Sequence, residues 1–358
     1  MEFGESLVAM LPADQVAAAR KQLRELGVRV IRLGTLLERM SYDQEVLVVE
    51  AGKPIEFVFE NTDMMPHNLV ITQPGAMEEI GMSAEATAQD PGAAARQYVP
   101  ASDKVLLSSR LLQPAQVQQL SFKVPSKPGV YPYVCTYPGH WRRMFGAMYV
   151  VEDLDKYIAD PEGYLAASGL TPQDALLKDR RPRTEWKMED LAASIEHIGQ
   201  GRSYGNAMQV FKVANCMACH KLGDVGVAIG PELTKLDPKM TSMEILTSLL
   251  DPSNKIEEKY QTYQILTDDG QTLSGMILKE TDDVVELIEN PLAKADPIVI
   301  KKDEITGRRK SPVSIMPKGL LDKLTREEIM DLMALLISRA DPKHEVFQGD
   351  GHDHHGDH

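Results

Sequence analysis

Cysteine, methionine and histidine side chains that could bind a metal ion are concentrated at two places in the first half of this chain. Cys135, His140 and Met144 lie within ten residues of one another. His67 lies upstream, directly before the apolar run 68–72. One thiolate, two imidazoles and a weakly bound thioether form the ligand set of mononuclear blue, or type 1, copper. The residue types therefore predict one copper ion bound by these four side chains.

The spacing of these residues has a physical reason. A short ligand loop held at both ends by strands can keep one compromise geometry for both oxidation states of copper. His67 comes from another strand, so the sheet itself sets its distance from the loop. Met148 is an alternative axial ligand to Met144, although its simplest interpretation is a core methionine. For the whole cluster, the alternative is a buried cysteine near unrelated histidines.

The other two cysteines of the chain fall in the sequence Cys-Met-Ala-Cys-His at residues 216–220. C-x-x-C-H is the attachment signature of c-type haem. Cys216 and Cys219 would add to the two haem vinyl groups, and His220 would bind the iron. A redox-active C-x-x-C pair does not need the histidine, and a zinc site needs further Cys or His residues nearby. The motif predicts one covalently bound haem.

Alternating apolar runs surround the candidate copper ligands. Seven or more short runs of this kind, separated by turn residues, are typical of a β-sandwich. The runs are 28–33, 45–50, 55–60, 68–72, 104–109, 116–124, 129–134 and 147–151. An Ala- and Glu-rich stretch at 76–97 predicts a helical insertion among these strands.

The second half is mainly helical in pattern, with one β-rich segment. A helix is predicted before the haem motif, and an Asp-Asp-Gly hairpin turn is predicted at 268–270. Thr325 and Glu328 have capping-box spacing at the start of a last helix over 325–340. The predicted fold class is therefore multidomain α+β, in which a Greek-key β-sandwich is followed by an all-α domain that carries an inserted β-hairpin segment.

Five segments are predicted from these patterns. They are an N-terminal helical segment at 1–27 with its helix at 13–26, a sandwich domain at 28–152, a partly helical linker at 153–200, a second domain at 201–342 with a β insertion at 257–310, and a His-rich disordered tail at 343–358.

Residues 28–152 resemble the cupredoxins, and the azurins in particular. The loop Cys-Thr-Tyr-Pro-Gly-His, followed after three residues by Met144, is similar to the azurin ligand loop, with Tyr137 where azurins have Phe. The resemblance implies that Asn68, directly after the first histidine ligand, ties the two ligand loops together. Pro66 departs from the pattern, because azurins have a glycine there whose carbonyl approaches the copper.

Three aromatic residues stand beside His140, which the resemblance places at the solvent edge of the copper. Tyr137, Trp141 and Phe145 could form an apolar docking face for a redox partner. The alternative is that the three rings fill the end of the sandwich.

Residues 201–342 resemble the class I cytochromes c, and more fully the cytochrome-c-type, haem-binding domains of large secreted bacterial proteins. The segment Ile229–Leu233 matches the Gly-Pro-x-Leu sequence that packs on the haem in that family. The resemblance implies that the Pro231 carbonyl accepts a hydrogen bond from the His220 ring and fixes its orientation. The run extends through Asp-Pro-Ser at 251–253 to Ser-x-Met-Pro at 314–317.

The resemblance also implies the second axial ligand of the iron. Met316 lies in a Met-Pro pair shortly before the last helix, where class I cytochromes c have their methionine ligand. Met240 and Met243, about twenty residues after His220, are alternatives that could equally be packing residues.

The chain has 53 acidic against 39 basic residues, a formal net charge of −14. No block of Lys and Arg forms a nucleic-acid footprint, and no apolar run reaches the roughly 18 residues of a membrane span. The negative charge would favour basic redox partners, or it serves solubility alone. No pattern of catalytic residues is found.

Two metals whose ligands are all supplied by the protein favour electron transfer over activation of a small molecule. The sequence therefore predicts an electron carrier, not an enzyme, that relays single electrons between copper and haem. Its redox partners would be a dehydrogenase, a cytochrome or a terminal oxidase. The alternatives are a redox subunit or C-terminal fragment of a larger oxidoreductase, such as a dehydrogenase or a haem-linked copper nitrite reductase, and a copper carrier or haem-based sensor.

Covalent haem attachment takes place outside the cytoplasm, so a periplasmic or otherwise extracytoplasmic location is expected. The opening residues do not have the pattern of a secretory signal. The sequence is accordingly expected to be a mature or truncated piece, with the C-terminal part of a larger chain as one alternative.

Overall fold

The computed structural model describes residues 10–12, 15–16, 28–293 and 296–348. The helix predicted at 13–26 falls almost entirely outside these residues, as do His352, His354, His355 and His358 of the C-terminal tail. The chain divides into two compact units, Met1–Arg180 and Arg181–His358, so the division falls within the segment predicted as a linker. None of the helices in the described part of the chain is long and apolar enough to cross a membrane.

The first unit is built on two β-sheets. The strands are β1 (Arg29–Leu36), β2 (Ser41–Tyr42), β3 (Val46–Glu50), β4 (Pro54–Glu60), β5 (Val70–Thr72), β6 (Val105–Ser108), β7 (Val117–Lys123), β8 (Gly129–Val134) and β9 (Phe145–Val151). One sheet has the strand order β2-β1-β4-β7 and the other β3-β9-β8-β5-β6. The β-sandwich predicted from the alternating runs is confirmed.

Alternation along the strands builds the core between the two sheets. In β4, Ile55, Phe57 and Phe59 are buried while the residues between them are not, as a period of two requires. From the other sheet, Val49 and Met148 belong to the same buried cluster. Each such side chain contributes about 1.5–3 kcal/mol on burial, so the sandwich is a rigid support for the loops at its end.

The predicted insertion forms helix α1 (Met77–Ala86) between β5 and β6. Gly81 of this helix lies against the indole of Trp141, and a Cβ at that position would clash with the ring. The carboxylate of Asp174 accepts the backbone N–H groups of Gly75 and Met77 at 2.9 and 2.8 Å. The insertion is therefore fixed to the loop of Trp141 at one place and to the segment that follows the sandwich at the other.

Seven further helices follow in the described residues. The first unit ends with α2 (Leu154–Ala159), α3 (Pro161–Ser168) and α4 (Ala175–Lys178). The second unit contains α5 (Met188–Glu196), α6 (Tyr204–Val213), α7 (Ser242–Leu250) and α8 (Arg326–Ile337), which share one hydrophobic core. The capping box predicted for the last helix is confirmed, since the N–H of Glu328 donates to the Thr325 hydroxyl and the N–H of Thr325 donates to the Glu328 carboxylate.

The β-rich part of the second unit is larger than a hairpin segment. It is a five-stranded antiparallel sheet in the order β15-β14-β13-β12-β16. The strands are β12 (Thr262–Thr267), β13 (Thr272–Glu280), β14 (Val284–Ile288), β15 (Ile298–Lys301) and β16 (Ile305–Lys310), and a short pair, β10 (Lys221–Leu222) and β11 (Val225–Gly226), lies nearer the haem motif. Ile265, Val285, Leu287 and Ile300 give the sheet a hydrophobic cluster of its own.

Candidate functional site

Three of the four predicted copper ligands converge at one end of the sandwich. The Sγ atom of Cys135 lies 3.8 Å from Nδ1 of His67 and 3.6 Å from Nδ1 of His140, and the two Nδ1 atoms are 3.2 Å apart. Across the ranges that the structure describes, this is the one group of three or more His, Cys, Asp or Glu side chains whose ligand atoms are close enough to share an ion.

The separations fit a trigonal metal site. Thiolate and imidazole bonds to a first-row ion such as zinc are about 2.3 and 2.0 Å, so three donors arranged trigonally lie about 3.5–3.7 Å apart. The observed distances of 3.2–3.8 Å bracket that range. A soft sulfur with two imidazole nitrogens selects copper among the common metals when the geometry is trigonal.

Backbone hydrogen bonds hold the ligand loops in place. Cys135 directly follows β8, and its N–H donates to the carbonyl of Met144 at 2.9 Å. The N–H of Met144 donates in turn to the carbonyl of His140 at 2.9 Å, which closes the loop on itself. On the other side, His67 and Leu112 exchange two backbone hydrogen bonds of 3.1 and 2.8 Å. Backbone hydrogen bonds thus hold each ligand segment in place without a metal.

The cluster is buried, and burial sets its protonation. Desolvation raises the pKa of the Cys135 thiol to about 12. Desolvation, and then the neighbouring His67, lower the pKa of His140 well below its usual value. The metal-free site therefore contains a neutral thiol and a neutral imidazole, and a metal ion would displace the thiol proton when it binds.

The side chain of Asn68 links three segments around the cluster. Its Oδ1 accepts the N–H of Thr136 at 2.8 Å, and its Nδ2 donates to the Thr136 hydroxyl and to the carbonyl of Gln97, both at 2.9 Å. Asn68 is fully buried. The amide therefore joins the His67 segment to the Cys135 loop and also to the chain that follows α1.

We expect Asn68→Ala to lower the free energy of unfolding of the metal-free protein by at least about 2 kcal/mol, because buried groups that lose a partner cost about 1–3 kcal/mol each. Urea unfolding followed by circular dichroism measures this. Gln113→Ala, at an exposed amide of the same unit, is the control and should change the free energy by less than about 0.5 kcal/mol. Equal stability of the two variants would contradict the role given to Asn68.

Burial does not distinguish between the two candidate axial methionines. Met144 and Met148 are both fully buried in the cluster that contains Cys135. Met144 belongs to the ligand loop and is hydrogen-bonded through its backbone to His140, whereas Met148 lies in β9.

The aromatic residues beside His140 are buried. All three rings are buried, so they do not form the exposed apolar face considered above. Tyr137 belongs to the core between the two sheets, whereas Trp141 and Phe145 belong to a separate cluster that includes residues of α1 and α4. The ring of Tyr137 stands edge-on to His140 with centroids 5.0 Å apart, and Tyr98 stands edge-on to Tyr137 at 5.3 Å. His140 itself is only 2% exposed.

The Cys-x-x-Cys-His motif at 216–220 in the second unit forms a compact turn after α6. Residues Cys216–Ala218 make one turn of 3-10 helix, and the N–H of His220 donates to the carbonyl of Cys216 at 2.9 Å. The two cysteines are not joined by a disulfide. The carbonyl of Cys219 accepts the N–H groups of Ile229 and Gly230 at 3.0 and 2.8 Å, which brings the Gly-Pro segment to the motif.

The imidazole of His220 is oriented by that segment. Its Nδ1 lies 2.9 Å from the carbonyl oxygen of Pro231, which leaves Nε2 as the nitrogen that can coordinate an ion. Gly230 lies against the ring, since a Cβ there would be 2.8 Å from Cε1 of His220. Burial lowers the pKa of His220, while the hydrogen bond to Pro231 raises it. Burial also raises the pKa of the Cys219 thiol to about 11.

The three methionines considered as the second axial ligand of the iron all lie at the edge of the hydrophobic core of the second unit. Met316, Met240 and Met243 are partly buried against the cluster that contains Cys216. The N–H of Met316 donates to the Ser314 hydroxyl, and the N–H of Ser314 donates to the Ser253 hydroxyl, both at 3.1 Å. The Asp-Pro-Ser and Ser-x-Met-Pro sequences are thus neighbours, and Met316 remains a prediction with two alternatives.

Sequence reasoning missed one residue of the candidate copper site. Asp63 lies behind His67, on the side of the ring away from Cys135. The only signal for it is an acidic residue four positions before a candidate ligand, in a stretch whose Asn, Thr and Pro residues are typical of a turn.

Part of the first unit is similar to known copper proteins. Residues 31–151 match the model of a family described as copper binding proteins, plastocyanin/azurin family. Auracyanin-A of Chloroflexus aurantiacus is 28% identical over 126 residues, which are 35% of this chain and 75% of that protein. Among solved structures, dithionite-reduced auracyanin of Roseiflexus castenholzii is 28% identical over 35% of this chain and 99% of its own, with a TM-score of 0.31. The structure of auracyanin A of Chloroflexus aurantiacus is 27% identical over 35% of this chain and 100% of its own, with a TM-score of 0.32.

Proposed function

Residues 31–151 form a cupredoxin domain of the plastocyanin/azurin family, and from this premise we propose that the chain relays single electrons between a type 1 copper in that domain and a c-type haem in the second unit. The observation that carries the proposal is the buried convergence of Cys135 with two imidazole nitrogens at 3.2–3.8 Å. Auracyanin A is itself described as a blue copper protein.

Each copper ligand has a defined part in the proposed site. His67 and His140 would bind through Nδ1 and Cys135 through its thiolate, with Met144 as the weak axial ligand. A copper ion in this position supplies one-electron redox chemistry. The surrounding core excludes water and prevents the ligands from rearranging between oxidation states, and no ligand position is left for a substrate. These features support electron transfer rather than catalysis.

The haem part of the proposal rests on the C-x-x-C-H turn of the second unit. Cys216 and Cys219 would hold the haem covalently, and His220 would bind its iron through Nε2. The 2.9 Å contact to Pro231 and the close packing of Gly230 support this role, because both orient the imidazole. Met316 is the proposed second axial ligand. A zinc site is less well supported, because among the described residues Cys216, Cys219 and His220 do not bring their ligand atoms close enough together to share an ion.

The partners and location follow from the same chemistry. The proposed partners are redox proteins such as a dehydrogenase, another cytochrome or a terminal oxidase, and the acidic chain would favour partners with basic surfaces. Because covalent haem attachment takes place outside the cytoplasm, we place the protein in the periplasm or another extracytoplasmic space.

Internal electron transfer tests the proposal directly. The full chain, matured with haem and loaded with copper, is mixed with less than one equivalent of a one-electron reductant and followed by stopped-flow absorption. We expect the copper band and the haem bands to relax together towards a shared equilibrium. Protein that has been matured with haem but never loaded with copper is the control and should show the haem phase alone. A haem that stays reduced beside oxidised copper despite a favourable potential would contradict the relay.

A further inference from the structure

A buried carboxylate contacts the candidate copper ligand His67 from behind. Oδ2 of Asp63 lies 3.0 Å from Nε2 of His67, and the two side chains are 1% and 0% exposed. Such a short, fully buried contact between an imidazole and a carboxylate is strong, because water does not compete for either group.

The remaining contacts of Asp63 show which form of the carboxyl group the fold accommodates. Its Oδ1 accepts the backbone N–H of Glu38 at 2.8 Å and that of Met64 at 2.7 Å. With the imidazole N–H on the other oxygen, three N–H groups converge on one carboxyl group. An ionised carboxylate accepts hydrogen bonds at both oxygens and donates none, so the ionised form matches these three N–H donors.

The contact decides the tautomer of His67. A neutral imidazole carries its proton on one nitrogen and a lone pair on the other. A proton on Nε2 satisfies the carboxylate of Asp63, and the lone pair is then on Nδ1, which faces Cys135 and His140 at 3.8 and 3.2 Å. The nitrogen that must bind the metal is thereby kept available.

We infer that Asp63 is a positioning residue of the copper site, which fixes the Nε2–H tautomer of His67 and lowers the reduction potential of the copper. The inference deepens the proposed function and rests on it. A carboxylate behind a metal-binding imidazole makes that imidazole a more basic ligand, and a more basic ligand stabilises the more highly charged, oxidised ion.

Charge balance acts in the same direction. Together, the Cys135 thiolate and the Asp63 carboxylate balance the two positive charges of an oxidised copper ion, and they exceed the charge of a reduced ion by one. A net charge in buried surroundings is costly. The pair of anionic side chains therefore favours oxidised over reduced copper.

The variant Asp63→Asn keeps the size of the side chain but cannot present acceptors to all three N–H groups. We expect the affinity for oxidised copper to fall about 10–100-fold, as for other groups that support metal-bound histidines, with a smaller loss for reduced copper. Each tenfold difference between the two losses raises the potential of a one-electron couple by about 59 mV. A redox titration of the full, copper-loaded chain measures the shift.

Thr35→Val is the matched control. The Thr35 hydroxyl accepts the N–H of Thr62 at 2.9 Å and that of Asp63 at 3.0 Å, so its removal loosens the same loop while leaving the carboxylate on His67. The control should keep the wild-type potential. An equal shift in Thr35→Val, or no rise in Asp63→Asn, would overturn the inference.

A second measurement uses the wild-type protein without copper, so it does not depend on whether a variant folds. Long-range proton–nitrogen NMR of the metal-free wild-type protein should show His67 protonated on Nε2. Protonation on Nδ1 instead would overturn the positioning role by itself. If the wild-type chain binds copper but Asp63→Asn leaves the potential unchanged, this inference fails alone. If the wild-type chain forms no blue copper centre, the proposed function fails, and the effect on the potential fails with it.

Discussion

Replacing Cys135 with serine should abolish the intense blue absorption of the copper-loaded protein. That absorption comes from charge transfer between a thiolate and copper, and a serine hydroxyl is neither soft nor ionised at neutral pH. The other two cysteines of the chain, Cys216 and Cys219, lie in the second unit. No thiol of the sandwich domain can therefore replace Cys135. Visible absorption and electron paramagnetic resonance after addition of cupric ion measure the effect.

The control for this variant is Met148→Leu. Met148 is buried in the same hydrophobic cluster, and a Leu of similar volume should cost less than about 1.5 kcal/mol of stability. If Met144 is the axial ligand, the control stays blue. A blue centre in Cys135→Ser would refute the assignment of the copper site.

The double variant Cys216→Ser, Cys219→Ser should lose all covalently bound haem. Two thioether bonds require two thiols, and in the structure neither cysteine is joined in a disulfide. Wild-type and variant chains are produced in a host that assembles c-type cytochromes, denatured, and stained for haem on a gel. The wild-type chain should keep its haem through denaturation and through extraction with acidified acetone, whereas the variant should not.

Met217→Leu is the control for the haem prediction, because it changes a residue between the cysteines while leaving both thiols in place. It should retain covalent haem. A wild-type chain that emerges from the same host without bound haem would remove the second redox centre from the proposal, and the copper centre would stand without it.

Some features of the fold follow directly from short-range patterns. The period-two alternation in β4 places Ile55, Phe57 and Phe59 on one face, so the sandwich was predictable. Turn chemistry was equally predictable, since the Asp-Asp-Gly sequence joins β12 to β13. The candidate copper ligands were predictable because metal coordination demands particular atoms, and few residue types can supply them.

Other features depend on contacts between distant segments, which a single sequence does not specify. The five-stranded sheet of the second unit arises from pairing β12 with β16 across about forty intervening residues. The burial of Trp141 depends on a glycine in α1. The part played by Asp63 could not be predicted, because it depends on its side chain pointing towards the ring of His67. Side-chain rotamers are set by packing and not by sequence spacing.

The near-complete enclosure of His140 has a consequence for what can reach the ion-binding cluster. Dioxygen, chelators and small reductants would have to displace packed side chains such as Tyr137 and Trp141 before touching a ligand atom. Electrons would need no such opening, since they can cross a few ångströms of close-packed protein. The edge-on rings of Tyr137 and Tyr98 stand one behind the other next to His140. In the proposed site, the packed side chains would therefore suppress side reactions that require direct contact with a ligand atom, while electron exchange with another redox centre could continue.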